Sequence, residues 1–120
     1  MAEEVKTISM KLMVQPYEAI KSGIKTIEVR LNDEKRRRLM LGDHIIFSCP
    51  DLGDEIIEVE ITELLRYKTF RELYLACGPD FFRNKSLEAF DESIHAIYSK
   101  EQEQKYGVLG IRFIKLEPEE

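Results

Sequence analysis

Apolar residues alternate with polar ones along several short segments of this chain, and this period of two constrains the fold more than any other feature. In residues 55–66, the longest such segment, Ile57, Val59 and Ile61 fall at every second position. Successive side chains of a strand point to opposite faces, so the pattern predicts a strand with one buried face. Related patterns and turn signals predict four more strands, over residues 6–14, 25–31, 44–48 and 108–116.

Helical signals fill the intervals between these strands. Pro16 and Gly23 mark the start and the end of a short helix in which Tyr17 and Ile20 face inward. A short helical turn is predicted over residues 33–40.

The second half of the chain carries most of the helical signals. Thr69 with Glu72, and Ser99 with Gln102, have the spacing of a capping box at a helix start. Ser86 is a predicted N-cap. The residues after it that fall at helical spacing are Leu87, Phe90, Ile94 and Ile97.

The order of these elements predicts the fold class. Helices cluster between the fourth and the fifth strand, whereas short turns join most of the other elements. This arrangement favours an α+β fold, a small, mostly antiparallel β-barrel with helices packed on one side. A length of 120 residues suits one domain, residues 1–120, in which residues 116–120 form a frayed acidic tail.

Composition narrows the class of function. The net charge of −5 argues against coating of nucleic acid by bulk electrostatics, although it leaves room for a local basic cleft. No apolar run is long enough to span a bilayer, and we see no secretory signal, so we expect a cytoplasmic protein. Cys49 and Cys77 are then expected to be reduced thiols. The sequence shows no signal specific for DNA.

One segment, Lys25-Thr26-Ile27-Glu28-Val29-Arg30, carries the candidate site. On a strand, Thr26, Glu28 and Arg30 share the face opposite Ile27 and Val29, and neighbours on one face lie roughly 7 Å apart. Lys25 stands at the entrance of this strand. The four polar side chains can therefore converge on one small ligand. A structural ion pair on an exposed barrel face is the competing interpretation.

Each polar residue type of this segment suits a part of nucleotide chemistry. Lys25 offers a fixed positive charge, and Arg30 offers a fork for a phosphate or a plane for stacking on a base. Glu28 can accept hydrogen bonds from an exocyclic amine or act as a general base toward water. Thr26 can act as a nucleophile only with a base beside it.

The pattern Gly23-x-Lys25-x-x-Glu28-x-Arg30, followed by Gly42-Asp43 and a strand, resembles the ASCH domain family. The ending Ile97-Tyr98 with Tyr106-Gly107-Val108-Leu109-Gly110-Ile111 is also similar to that family. The resemblance covers nearly the whole chain. It implies a PUA-like β-barrel that binds RNA or a modified nucleotide in a cleft lined by the motif.

The resemblance also implies two kinds of enzyme. Some small bacterial members hydrolyse N4-acetylcytidine to cytidine and acetate with a lysine, a threonine and a glutamate, and others are reported as ribonucleases. The lysine falls on Lys25, the threonine falls on Glu28, and the glutamate falls at or near Arg83. If the chain is an enzyme, we expect Lys25, Glu28 and Thr26 to be its catalytic residues. A protein-interaction module without small-molecule chemistry is the third hypothesis.

Other residues can extend the site. The basic run Lys35–Arg38 reads first as a solvated helix face, and the alternative is phosphate contact by Arg36, Arg37 and Arg38. Phe81 and Phe82 are adjacent in a loop, so one of them can border the cleft and stack on a base. Other candidate stacking residues, with the core as the default position for each, are Tyr17, Tyr67, Tyr98 and Tyr106. No metal-ligand spacing occurs, so we expect neither a metal nor another cofactor.

Overall fold

The computed structural model describes residues 4–82 and 85–116, and within them the α+β, PUA-like prediction is confirmed. The five strands are β1 (Thr7–Lys11), β2 (Ile27–Leu31), β3 (His44–Ser48), β4 (Ile56–Tyr67) and β5 (Val108–Lys115). The α-helices are α1 (Val14–Lys21), α2 (Glu34–Arg37), α3 (Phe70–Cys77), α4 (Leu87–His95) and α5 (Lys100–Tyr106), and short 3-10 helices occupy Pro50–Leu52 and Pro79–Phe82. None of the described helices is long and apolar enough to cross a membrane.

The strands form one five-stranded sheet in the order β1-β3-β4-β5-β2. Strand β3 pairs antiparallel with β4, as expected for neighbours joined by a short connection. Strand β1, in contrast, pairs parallel with β3, from Thr7 opposite His44 to Lys11 opposite Ser48. The sequence pattern contained no signal for this parallel pair.

Contacts group the described residues into two compact units. The first unit holds the residues up to Thr26, Leu39–Glu63 and the residues from Arg112. Its core contains Ile45, Phe47 and Val59, which are fully buried at alternate positions of β3 and β4. Tyr17 and Ile20 of α1 are 1% exposed, which confirms the predicted inward face of that helix.

The second unit holds Ile27–Arg38 and Leu64–Ile111. Its core is largely aromatic, because Phe82 packs against Tyr74 and Phe90 with ring centroids 5.1 and 4.6 Å away. The other buried members of this cluster are Leu31, Phe70, Leu73, Ile94 and Val108.

The helix caps predicted from the sequence are largely found in the structure. Ser99 and Gln102 form the reciprocal capping box, and the Ser86 side chain accepts a hydrogen bond from the Ala89 N–H. The Thr69 hydroxyl accepts a hydrogen bond from the Glu72 N–H, but the Glu72 carboxylate accepts one from Lys68 rather than from Thr69.

Two expectations about buried faces need correction. Ile97 lies beyond the end of α4 and is 67% exposed, because the helix stops at His95 and the helical spacing no longer applies. The polar face of β2 is also more covered than expected, since Glu28 is as buried as Ile27. The predicted frayed tail falls mostly on residues 117–120, outside the described residues.

Candidate functional site

Glu28 and Arg30 form a partly buried ion pair on the polar face of β2. The Arg30 Nε and Nη2 groups both donate to the Glu28 Oε2 atom, at 3.1 and 2.9 Å. The side chains are 18% exposed for Arg30 and 8% exposed for Glu28. Burial of a carboxylate is tolerated only where charged partners and hydrogen bonds replace its hydration, and Arg30 supplies both. The pair is therefore held in one arrangement rather than solvated on a surface.

Lys25 and Thr26 precede β2, which begins at Ile27 and not at Lys25 as predicted. The Lys25 N–H donates to the Ala19 carbonyl at 3.0 Å, and the Thr26 carbonyl accepts from the Phe113 N–H at 3.1 Å. Both residues pack in the first unit, whereas Glu28 and Arg30 pack in the second. Convergence of all four side chains on one ligand stays a prediction.

The basic run forms the short helix α2 and its C-cap. The Arg36 Nη1 group donates to the Asp33 carboxylate at 2.9 Å, and Arg38 pairs with Glu34 on the exposed surface. The Arg37 Nε group donates to the Asn32 carbonyl at 2.9 Å. All three guanidinium groups thus have local partners, and phosphate contact by them stays a prediction.

The aromatic candidates separate by burial. Phe82 is buried in the core of the second unit, and Tyr17 is buried in the first. Phe81 is half-buried and packs edge to face against Phe82, with ring centroids 5.5 Å apart. Of the two, Phe81 is therefore the candidate for the predicted base stacking. Arg83, where the resemblance puts the catalytic glutamate, lies outside the described residues.

A pocket of about 550 Å³ opens in the second unit, and sequence reasoning did not find it. Its lining comes from the end of β2, from the junction of β4 with α3, and from the junction of α5 with β5. The lining residues are Asn32, Tyr67, Lys68, Thr69, Gln104, Lys105, Tyr106 and Gly107. One available signal was the spacing of Asn32, which continues the alternation of Glu28 and Arg30 along the chain.

Resolved pKa shifts of described groups lie in the first unit, away from Glu28 and Arg30. Burial by itself would raise the pKa of Asp43, but hydrogen bonds from the backbone N–H groups of Lys6 and Met40 and the charge of the Lys6 ammonium lower it below its ordinary value. Burial and the Glu55 carboxylate raise the pKa of Tyr17. Among residues 4–82 and 85–116, no group of three or more His, Cys, Asp or Glu side chains could hold a metal ion.

Comparison with known proteins identifies relatives of this chain. The sequence profile described as the ASCH domain matches residues 10–117. The crystal structure of hypothetical protein PH0355 is 34% identical, with a TM-score of 0.80 over 92% of this chain and 99% of that one. The solution NMR structure of protein PF0455 from Pyrococcus furiosus is 31% identical, with a TM-score of 0.67 over 93% of this chain and 99% of that one. No curated protein matches the chain.

Proposed function

Since the chain belongs to the ASCH domain family, we propose that it binds single-stranded RNA or a modified nucleotide through the polar face of β2. ASCH domains are generally RNA-binding, PUA-like folds. A single-stranded ligand is favoured because its bases are free to stack on planar side chains and to expose their hydrogen-bonding edges.

The observation that carries the proposal is the Glu28–Arg30 pair. Two hydrogen bonds fix the plane of the Arg30 guanidinium, so little side-chain entropy is lost when a ligand binds it. A fixed guanidinium plane can stack on a base or bind a phosphate. The Glu28 carboxylate, which is 8% exposed, positions this guanidinium, and its own contact with an exocyclic amine stays a prediction. Lys25 and Thr26 precede β2 in the chain, and their part in ligand binding stays a prediction from the sequence.

The charge distribution supports the same assignment. The second unit contains 12 Lys and Arg against 10 Asp and Glu, whereas the rest of the chain contains 6 against 13. The net charge of the second unit is therefore +2 and that of the first is −7, which together give the −5 of the chain. A polyanion is therefore expected to be attracted more strongly to the second unit than to the first.

Substitution of Arg30 by Lys tests the proposal. Arg30→Lys keeps the charge but removes the planar fork, so affinity for fluorescein-labelled oligo-U, oligo-A or oligo-C RNA is expected to fall about tenfold or more, measured by anisotropy. Arg71→Lys is the matched control, because Arg71 is an exposed arginine of α3. A circular-dichroism melt of each variant verifies folding.

Two results contradict the proposal. One is that wild-type protein binds none of these oligonucleotides. The other is that Arg71→Lys weakens binding as much as Arg30→Lys, which would mean that no particular arginine geometry is read.

A further inference from the structure

The pocket of the second unit presents hydrogen-bond donors and positive charge with no acidic side chain in its lining. Lys68 and Lys105 are both exposed lining residues. The other lining residues are uncharged. A volume of about 550 Å³ lies within the usual range of small-molecule sites, roughly 300–1,000 Å³. The charge and size together suit a small organic anion.

The Asn32 amide is oriented by its neighbours. The Arg66 Nε group donates to Asn32 Oδ1 at 3.2 Å, and the Asn32 backbone N–H donates to the Gly107 carbonyl at 3.0 Å. Because an arginine can only donate, the oxygen of the amide must be the atom that faces Arg66. Within the described part of the chain, Asn32 Nδ2 has no hydrogen-bond partner. The two N–H bonds of that nitrogen are available to acceptors on a ligand.

The walls supply aromatic surface. Tyr67 and Tyr106 are half-buried and pack against the core of the second unit. The Lys105 ammonium lies 5.1 Å from the centre of the Tyr106 ring. Positive charge and an aromatic ring are therefore adjacent, and this suits a nucleotide, which carries a phosphate and a base on one ribose.

Gly107 allows the backbone to close one side of the pocket. Its φ of +73° favours glycine, and a Cβ atom at this position would lie 3.1 Å from the Tyr67 carbonyl oxygen. A side chain at residue 107 would require the Tyr67 backbone to move away by a few tenths of an ångström. Backbone atoms of Tyr67 and Gly107 therefore form one side of the pocket.

We propose that this pocket binds a nucleoside 5′-monophosphate, which goes beyond the RNA contacts proposed for β2. Lys68 and Lys105 bind the phosphate, and Tyr67 and Tyr106 contact the base. Asn32 Nδ2 donates to a carbonyl oxygen or ring nitrogen of the base edge. Such acceptors occur on all four bases, so the site distinguishes nucleotides from sugar phosphates more strongly than it distinguishes one base from another.

Titration calorimetry with AMP, CMP, GMP and UMP tests this site, with uridine, ribose 5-phosphate and inorganic phosphate as comparison probes. We expect at least one mononucleotide to bind at one site, and uridine and ribose 5-phosphate to bind at least tenfold more weakly than UMP. Binding of inorganic phosphate as tightly as the mononucleotides would overturn the proposal, as would no heat from any mononucleotide.

Matched variants locate the binding. Lys105→Met is expected to weaken mononucleotide binding about tenfold, whereas Lys100→Met, an equal loss of charge on the same helix, changes it less than twofold. Equal losses from the two variants would overturn the proposal, because bulk charge would then explain them. Asn32→Asp keeps an acceptor for Arg66 but removes the donors, so it should abolish binding.

Arg30→Lys separates this site from the RNA contacts on β2. It should leave mononucleotide affinity unchanged even where RNA affinity falls. A parallel loss of both would overturn the assignment of the mononucleotide to the pocket. Mononucleotide binding without RNA binding would contradict the proposed function alone.

Discussion

Asp43 accepts hydrogen bonds from two backbone N–H groups although its side chain is almost fully buried. The Lys6 N–H donates to Oδ1 at 3.0 Å, the Met40 N–H donates to Oδ2 at 2.9 Å, and the Lys6 ammonium lies 3.1 Å from Oδ2. These contacts, which outweigh the effect of burial, lower the pKa of Asp43 below its ordinary value of 3.8. The carboxylate joins the residues before β1 to the turn before β3.

Asp43→Asn is expected to lower the free energy of unfolding by about 1–3 kcal/mol at neutral pH. The substitution removes the negative charge, and it places the side-chain NH2 group opposite one of the two backbone N–H donors, which then has no acceptor. A group with a lowered folded pKa stabilises the protein above its unfolded pKa, and this stability is lost as the pH falls through the folded pKa. The difference between wild type and variant should therefore shrink below about pH 4.

Urea denaturation at a series of pH values measures this difference. Asp54→Asn is the control, because Asp54 is an exposed carboxylate of the same unit. A wild-type advantage that stays constant from neutral to acidic pH would contradict the role assigned to the Asp43 charge.

Glu28 occupies the position that the family resemblance assigns to the threonine of the amidohydrolases. Its carboxylate is held by the Arg30 guanidinium and cannot act as a hydroxyl nucleophile. We therefore expect no release of cytidine from N4-acetylcytidine in a chromatographic assay. Cytidine release that Lys25→Ala abolishes would contradict this prediction and would identify an amidohydrolase with a different catalytic group.

At the scale of elements, Glu103 of α5 joins the helices of the second unit. Its Oε2 atom accepts a hydrogen bond from the Phe70 N–H at 2.7 Å, at the first residue of α3. Its Oε1 atom lies 3.3 Å from Nε2 of His95, the last residue of α4. One carboxylate thus satisfies an N–H group at the start of α3 that the helix itself leaves unpaired.

Glu103→Ala is expected to lower the free energy of unfolding by about 2–3 kcal/mol, because a buried N–H group loses its charged acceptor. Glu103→Gln retains a carbonyl oxygen and should recover part of this loss. Thermal and urea unfolding measure both variants. Glu92→Ala, at an exposed position of α4, is the control and should change stability by less than about 0.5 kcal/mol.

The caps that the sequence predicted and the Glu103 contact that it did not predict differ in range. Ser86, Ser99 and Thr69 bond to groups three residues away, so the spacing of residue types reveals them. Glu103 bonds to a group 33 residues away. No local pattern encodes that distance, because it depends on how α3 and α5 pack.

At the scale of the whole molecule, charge is divided unevenly between the two units. We expect the salt dependence of RNA binding to follow from the small positive charge of the second unit. The second unit has a net charge of only +2, so we expect it to neutralise about two to four phosphates of a single strand. The slope of log affinity against log salt concentration should then be about −1.4 to −2.8. Anisotropy titrations at several salt concentrations measure it, and a slope steeper than about −5 would indicate a longer basic track.

The strand positions were predictable because alternation is local, and the boundaries of β3 were predicted as observed. The order of the strands in the sheet and the position of the pocket could not be predicted from the sequence. Asn32, Tyr67 and Tyr106 come from three separate segments, and their meeting depends on tertiary packing. The same limit applies to Phe82, whose burial follows from its contacts with Tyr74 and Phe90 rather than from its neighbours in the chain.

The parallel pairing of β1 with β3 has a consequence during synthesis. On the ribosome, β1 is made before α1, β2 and α2, and its pairing partner His44–Ser48 follows only after all of them. The segment Thr7–Lys11 therefore has no strand partner until β3 has been synthesised. For this chain, translation speed between the two strands sets how long an unpaired strand is exposed to other nascent chains.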